Sequence, residues 1–240
     1  MPVAAREPLR RYGGVSGPER VARRRTLLLD AALELYGTHG YAETSVKDVC
    51  REARLTDRYF YESFRDSVDL FTSLYDHLTA ELLALVATAV AAVPPDPERQ
   101  VRAAIEAFVR SLADDPRKAR IVFAEPSSAG PDAERHVRAT LSRFSTLVGQ
   151  TAAPHLPAEM PIRLIHLGAV SLVGAIERVI IEWQDGHLDA SIDEVIEHLV
   201  GLFLAAGTAV GMTAPSPARA SAQAASRPAE RPAARKRRTR

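Results

Sequence analysis

Apolar residues recur along most of this chain at the three- and four-residue spacing of a helix face, and no stretch of useful length alternates as a strand does. Leu28, Ala31, Ala32 and Leu35 form one such face, which Gly37 and Gly40 are expected to end. Val46, Val49, Cys50 and Ala53 repeat the spacing behind Thr44-Ser45, with Asp48 placed three residues beyond Ser45 as the acid of a capping box. After a break at Leu55, Thr56 is positioned to cap a short third helix carrying Phe60 and Phe64. A long helix is predicted from about Val68 to Val93, where Pro94-Pro95-Asp96-Pro97 stops it. Further helices are expected near 98–113, 116–124, 131–152, 160–184 and 192–210, with prolines close to their ends. The pattern predicts an all-α chain of about nine helices, with a small unit over 20–67 and a larger one over 68–211.

The two ends read differently. Residues 1–19 hold Pro2, Pro8, Pro18 and Gly13-Gly14 with little to bury, and are expected to form a flexible basic arm. Residues 212–240 are mostly Ala, Pro, Ser and Arg, closing on Arg235-Lys236-Arg237-Arg238-Thr239-Arg240, and are expected to form a disordered basic tail. The net charge of +1 therefore hides a division. Segment 72–211 has eleven basic and eighteen acidic residues (−7), whereas 212–240 has eight basic and one acidic (+7). Such a split points to a polyanion partner near the chain ends. One cysteine, Cys50, excludes an intramolecular disulfide framework and a cysteine-rich zinc module. The amino-terminal residues show no apolar secretory run, and the uncharged stretches Leu82–Val93 and Leu199–Pro217 are too short in apolar content to span a bilayer. These features predict a cytoplasmic protein without a membrane partner.

Thr44–Phe64 has the form of a helix-turn-helix: a capped amphipathic helix, a break, and a second short helix. In such a unit the first helix crosses the DNA backbone and the second enters the major groove, anchored on one side and exposed on the other. Phe60 and Phe64 supply the anchor, which leaves Arg58, Tyr59, Tyr61, Glu62 and Ser63 outward. Arg58 and Tyr59 are the candidates for base contact, since a guanidinium suits a guanine edge. Tyr61 is a candidate for phosphate contact, and Thr44, Ser45, Thr56, Ser63 and the cations Arg23 and Arg24 are further candidates for DNA contact.

The residues Tyr41-Ala42-Glu43-Thr44-Ser45-Val46-Lys47-Asp48-Val49, Arg51-Glu52-Ala53, Tyr59-Phe60-Tyr61-Glu62-Ser63-Phe64 and Leu70-Phe71 together resemble the DNA-binding domain of the TetR family of transcriptional regulators. The resemblance covers about 20–71 and departs from the family pattern at two positions. Arg54 stands in the turn where glycine is common, and Ser67 stands where a phosphate-contacting lysine is usual. The resemblance implies an amino-terminal helix-turn-helix domain and a carboxy-terminal ligand-binding and dimerisation domain. It also implies a homodimer on a palindromic double-stranded operator, most simply a repressor released by a small effector.

Residues of the larger part suit those roles. Gly168, Leu172, Ala175 and Ile176 on one predicted helix, with Leu199, Leu202, Phe203 and Ala206 on the next, combine small and large apolar side chains as a subunit interface requires. Many Leu, Val and Ala residues favour an apolar effector, for which Phe108, Phe123, Phe144, His166 and Glu177 are the candidates. No metal-ligand spacing, phosphate loop or nucleophile elbow is present, so neither an enzyme nor a cofactor is expected. Two other readings compete: a helical structural protein using the basic tail on nucleic acid, and a hydrophobic-ligand carrier without DNA function.

Overall fold

A computed structural model describes residues 17–209. These residues are helical throughout, without a strand among them: α1 (Gly17–Thr38), α2 (Val46–Glu52), α3 (Asp57–Ser63), α4 (Ser67–Ala91), α5 (Pro97–Asp114), α6 (Pro116–Ala119), α7 (Pro131–Ala152), α8 (Ile162–Gln184) and α9 (Ile192–Ala209). A wide π-type turn, Arg120–Ala124, and a 3₁₀ turn, Glu125–Ser127, follow α6. The predicted basic tail, and the predicted arm up to residue 16, lie outside the described residues. Gly17, Pro18 and Glu19, read from sequence as arm, instead begin α1.

Local chemistry sets the helix starts. Asp66 accepts the backbone N–H of Asp69 at 2.8 Å to open α4, and Asp96 accepts that of Arg99 at 3.0 Å to open α5. Asp115 does the same for α6, and Ser191 exchanges hydrogen bonds with Glu194 before α9. Each satisfies amide groups that the helix geometry leaves free. Pro97, Pro116 and Pro131 stand in the first turns, where a missing N–H is harmless.

One apolar cluster runs through both parts, from Leu28, Ala32 and Tyr36 through Phe60, Phe71 and Leu74 to Val109, Ile180 and Leu199. Helix α1 packs on α2, α3, α4 and α6; α4 continues into the larger part, where α5 and α7 pack on it; α9 lies on α5 and α8 on α7. Helices α4 and α8 are long and apolar enough to cross a membrane by length and composition, which the shorter runs considered from sequence do not reveal. The apolar side of α4 is core, from Leu70 to Leu82. Helix α8 is different: within one chain only Ala169 and Ile180 are buried, and Ile162, Leu164, Leu167 and Val170 are exposed.

The expected interface residues divide accordingly. Gly168 and Leu202 are exposed, and Leu172, Ala175 and Ala206 are half-buried. Ile176 and Phe203 already rest on the core of their own chain. Leu199 is a correction: it is fully buried in the cluster that α9 forms with α5, so it supports α9 from behind and has no surface to offer a second subunit.

Candidate nucleic-acid interface

The turn between α2 and α3 is built as its sequence dictates. Ser45 caps α2 reciprocally: its hydroxyl accepts the Asp48 amide at 3.3 Å and the Asp48 carboxylate accepts the Ser45 amide at 3.0 Å. Those bonds, with the Arg51 guanidinium, hold the Asp48 carboxyl below the usual range. Thr44 is not the cap; its hydroxyl donates to the Gly40 carbonyl at 2.8 Å. Leu55 N–H closes on Cys50 O at 2.9 Å, and Arg54 between them has φ +55°. Thr56 stands at the N-cap of α3 but makes no side-chain cap bond, so its hydroxyl faces solvent. Cys50 is buried under the turn, where burial first and Asp57 second push its thiol up to about 11. It is a core residue.

Phe60 and Phe64 anchor α3 with ring centroids 5.8 Å apart, both buried. Opposite them Tyr61 is 63% exposed and Arg58 lies along the surface, its Nε donating to Glu62 at 3.1 Å. Two expectations change at this point. Tyr59 is half-buried, because the Arg24 guanidinium lies over its ring, 4.3 Å from the centroid. Arg24 also donates to Glu62 at 3.3 Å, so it ties α1 to α3 and is not a free cation. Its neighbour Arg25 lies 4.2 Å over the Phe64 ring and donates to Ser63 O at 2.9 Å and Ser73 Oγ at 3.0 Å, so it too is engaged within the chain. Ser63 is thereby half-buried, with its carbonyl engaged. Only Arg23 of the three-arginine run is exposed. The clamps span 35 to 48 residues, and local sequence spacing carries no signal for them. Ser67, where the resemblance expects lysine, bonds the Tyr41 hydroxyl at 2.9 Å.

Residues 28–74 match the family model described as bacterial regulatory proteins, tetR family. The amino-terminal unit is a TetR-family DNA-binding domain. A stretch of 111 residues, 46% of this chain, is 33% identical to the HTH-type transcriptional regulator EthR of Mycolicibacterium smegmatis, and the match spans about half (49%) of that relative. The whole fold is similar to solved TetR-family structures. A putative regulator from Syntrophomonas wolfei aligns at a TM-score of 0.66 and 18% identity over 80% of this chain and 97% of that one. FadR from Bacillus subtilis, solved with stearoyl-CoA, aligns at 0.62 and 15% identity over 73% and 97%.

On the side away from the exposed face of α3, the amino-terminal domain is gripped by α6 and the turn that follows it. Arg117 pairs with Glu34 of α1 and with Asp115, and Arg120 donates to the Thr38 carbonyl at 2.9 Å. Glu125 is buried and accepts the Tyr41 amide at 2.8 Å and Arg120 Nε at 2.9 Å. Gly37, expected to end α1, lies inside it; a Cβ there would stand 2.4 Å from the Arg117 Cβ. Close approach, not helix termination, explains that glycine. Gly40, at φ +95°, is where the chain turns.

The effector candidates separate as well. Phe108 and Phe123 are half-buried against the core, and Phe144 is half-buried on α7. His166 is exposed on the outer side of α8, which removes it from any interior site of one chain. Glu177 is half-buried with its carboxyl pushed up by burial, and makes no hydrogen bond or ion pair among the described residues. Tyr75 of α4, fully buried with its hydroxyl unpartnered among the described residues, is a residue that sequence reasoning missed. No group of three or more His, Cys, Asp or Glu side chains among the described residues is placed to hold a metal ion.

Proposed function

We propose that this chain is a homodimeric transcriptional regulator, a repressor that leaves a palindromic operator when a small, largely apolar effector binds the larger unit. The observation that carries the reading is the exposed face of α3, where Arg58 and Tyr61 project from a helix pinned on Phe60 and Phe64. A recognition helix needs that combination of rigid back and free front. Arg58 is the base-reading candidate. Tyr61, Ser45, Thr56 and Arg23, all exposed at the two helix starts or beside α3, are the phosphate-contact candidates. Arg24, Tyr59 and Ser63 are reassigned to hold α3 in place.

Dimerisation is supported by α8. Ile162 is 83% exposed and Leu167 62%, on a helix whose apolar surface one chain leaves largely uncovered. A second copy packed through α8 and the Gly168, Leu172, Ala175, Leu202 and Ala206 surfaces would cover it and set two recognition helices one DNA turn apart. Effector binding among α4, α5, α7 and α8 would act through α4, which begins at α3 and runs into the larger unit. A coupling of about 1–3 kcal/mol is typical of such linkage.

The test is selection of bound sequences from random duplex by the purified full chain. A twofold motif, bound about 10³ or more tighter than unrelated duplex, is expected. Equal affinity for all duplexes would favour a structural protein acting through basic segments, and absence of binding a ligand carrier.

A further inference from the structure

An acid on the outward side of α3 runs against the charge of the surface it would meet, because DNA presents a row of phosphates. Glu62 is such an acid, exposed on the same helical turn as Arg58 and Tyr61. Two guanidinium groups take its two oxygens. Arg58 Nε donates to Oε1 at 3.1 Å from four residues back on α3, and Arg24 Nη2 donates to Oε2 at 3.3 Å from α1. An exposed pair at this spacing holds little by itself. The second partner changes that. The Arg24 side chain is only 20% exposed, its guanidinium lies 4.3 Å over the Tyr59 ring, and its Nε is buried without a hydrogen-bond partner. Glu62 is thus tied to a cation that packing fixes in place, and it holds one edge of the Arg58 guanidinium in turn. Arg58 itself is 84% exposed, and its Nη1 and Nη2 have no hydrogen-bond partner among the described residues.

We infer that Glu62 is a positioning residue for base reading: it holds Arg58 so that Nη1 and Nη2 together meet the O6 and N7 acceptors of one guanine in each half-site. This rests on the operator-binding reading above and names the base that reading leaves open. A guanidinium carries five N–H donors in a fixed fork. With Nε–H spent on Glu62, the two terminal nitrogens remain, and they suit the paired acceptors that guanine presents in the major groove. Adenine sets a donor beside its N7 and cannot accept both. A braced arginine also has less rotamer freedom to lose on entering the groove than an unheld one. The acid weakens attraction to phosphate, so its removal moves two quantities apart: guanine recognition falls, while affinity for unrelated duplex holds or rises. A role confined to keeping α3 folded would lower both together.

The experiment is selection from a random duplex pool by the full chain as wild type, Arg58→Ala, Glu62→Ala, Arg24→Gln and the double variant Arg58→Ala with Glu62→Ala. Titrations follow on three duplexes: the sequence the wild type selects, that sequence with one guanine per half-site changed to adenine, and an unrelated one. The guanine whose preference Arg58→Ala abolishes is the one Arg58 reads, and wild type should favour it over adenine about 5- to 150-fold. Glu62→Ala should erase most of that preference, bind unrelated duplex at least as well as wild type, and add no further loss in the double variant. Arg24→Gln, which leaves the sequence of α3 intact, should reduce the same preference by a smaller factor. A guanine preference within twofold of wild type in Glu62→Ala would overturn the inference, as would an Arg58→Ala chain that loses no guanine. Equal weakening on all three duplexes would make Glu62 a fold-keeping residue, and a change at a different base pair would make it a reader in its own right; either result overturns the positioning role. Absence of any site preference in wild type overturns the inference together with the operator reading, whereas a preference that ignores Glu62 overturns the inference alone.

Discussion

Arg54 gives the sharpest quantitative test of how the turn was built. Its φ of +55° places an L-residue in the left-handed region, where the Cβ crowds the following carbonyl at about 1–2 kcal/mol. The side chain is exposed and makes no hydrogen bond or ion pair among the described residues that would offset this, while the backbone is held by Arg54 N–H to Arg51 O at 3.1 Å and Leu55 N–H to Cys50 O at 2.9 Å. Glycine relieves the crowding but loses more backbone freedom on folding, about 0.5–1 kcal/mol. The net gain expected for Arg54→Gly is therefore about 0.5–1 kcal/mol. In a chain of this length that corresponds to a rise of about 1–4 °C in melting temperature. Arg54→Ala is the control, because it removes the guanidinium and keeps the Cβ. Urea titrations of the three proteins should show Gly more stable than Arg, with Ala no better than Arg. If Arg54→Ala matches Arg54→Gly, the gain comes from removing charge and the backbone argument is wrong.

Arg23 and Arg24 should part company in DNA binding: Arg23→Gln is expected to lower the salt slope of operator affinity by about one per half-site, whereas Arg24→Gln should leave the slope alone and cost about 0.5–2 kcal/mol of stability from the lost ring contact; slopes come from titrations at several salt concentrations. Gly37→Ala forces a methyl into Arg117 and should destabilise by about 1–3 kcal/mol in chemical denaturation. For Glu177 the sign is set by burial raising its folded-state pKa above the unfolded value, so its contribution is fully present below the unfolded pKa and is lost as pH rises through the folded one. Wild type minus Glu177→Gln, followed by thermal melts from pH 4 to 8, should therefore fall with rising pH. A difference that grows with pH would contradict the burial. Leu167→Glu, on the exposed face of α8, should shift the sedimentation of the chain toward the monomer without lowering its helix content.

The parts readable in the sequence were those written in neighbours. The i, i+3, i+4 spacing located α2 to α5 and α7 to α9 closely and the second half of α1, the Ser45–Asp48 capping box was legible as such, and Phe60 and Phe64 four apart declared the buried side of α3. What could not be read were pairings between distant segments. Arg24 looked like a phosphate ligand because its charge is local information, while the Tyr59 ring that holds it is 35 positions away. Leu199 and Phe203 looked alike on one helix, but only the packing of α5 seals Leu199 completely. His166 lies on a largely apolar helix, and the side it takes depends on α7. Gly37 resembled a stop signal for want of any hint that Arg117 would press on it.

The buried Glu125 carboxylate, holding the Tyr41 amide from the far side of the chain, bears on any attempt to transplant this DNA reader. A chimaera cut after α4 would detach the reader from the acid and the two arginines that brace its first turn. Sensor engineering with this scaffold should therefore carry 115–125 along with the amino-terminal module, or exchange effector specificity by editing side chains within the native body.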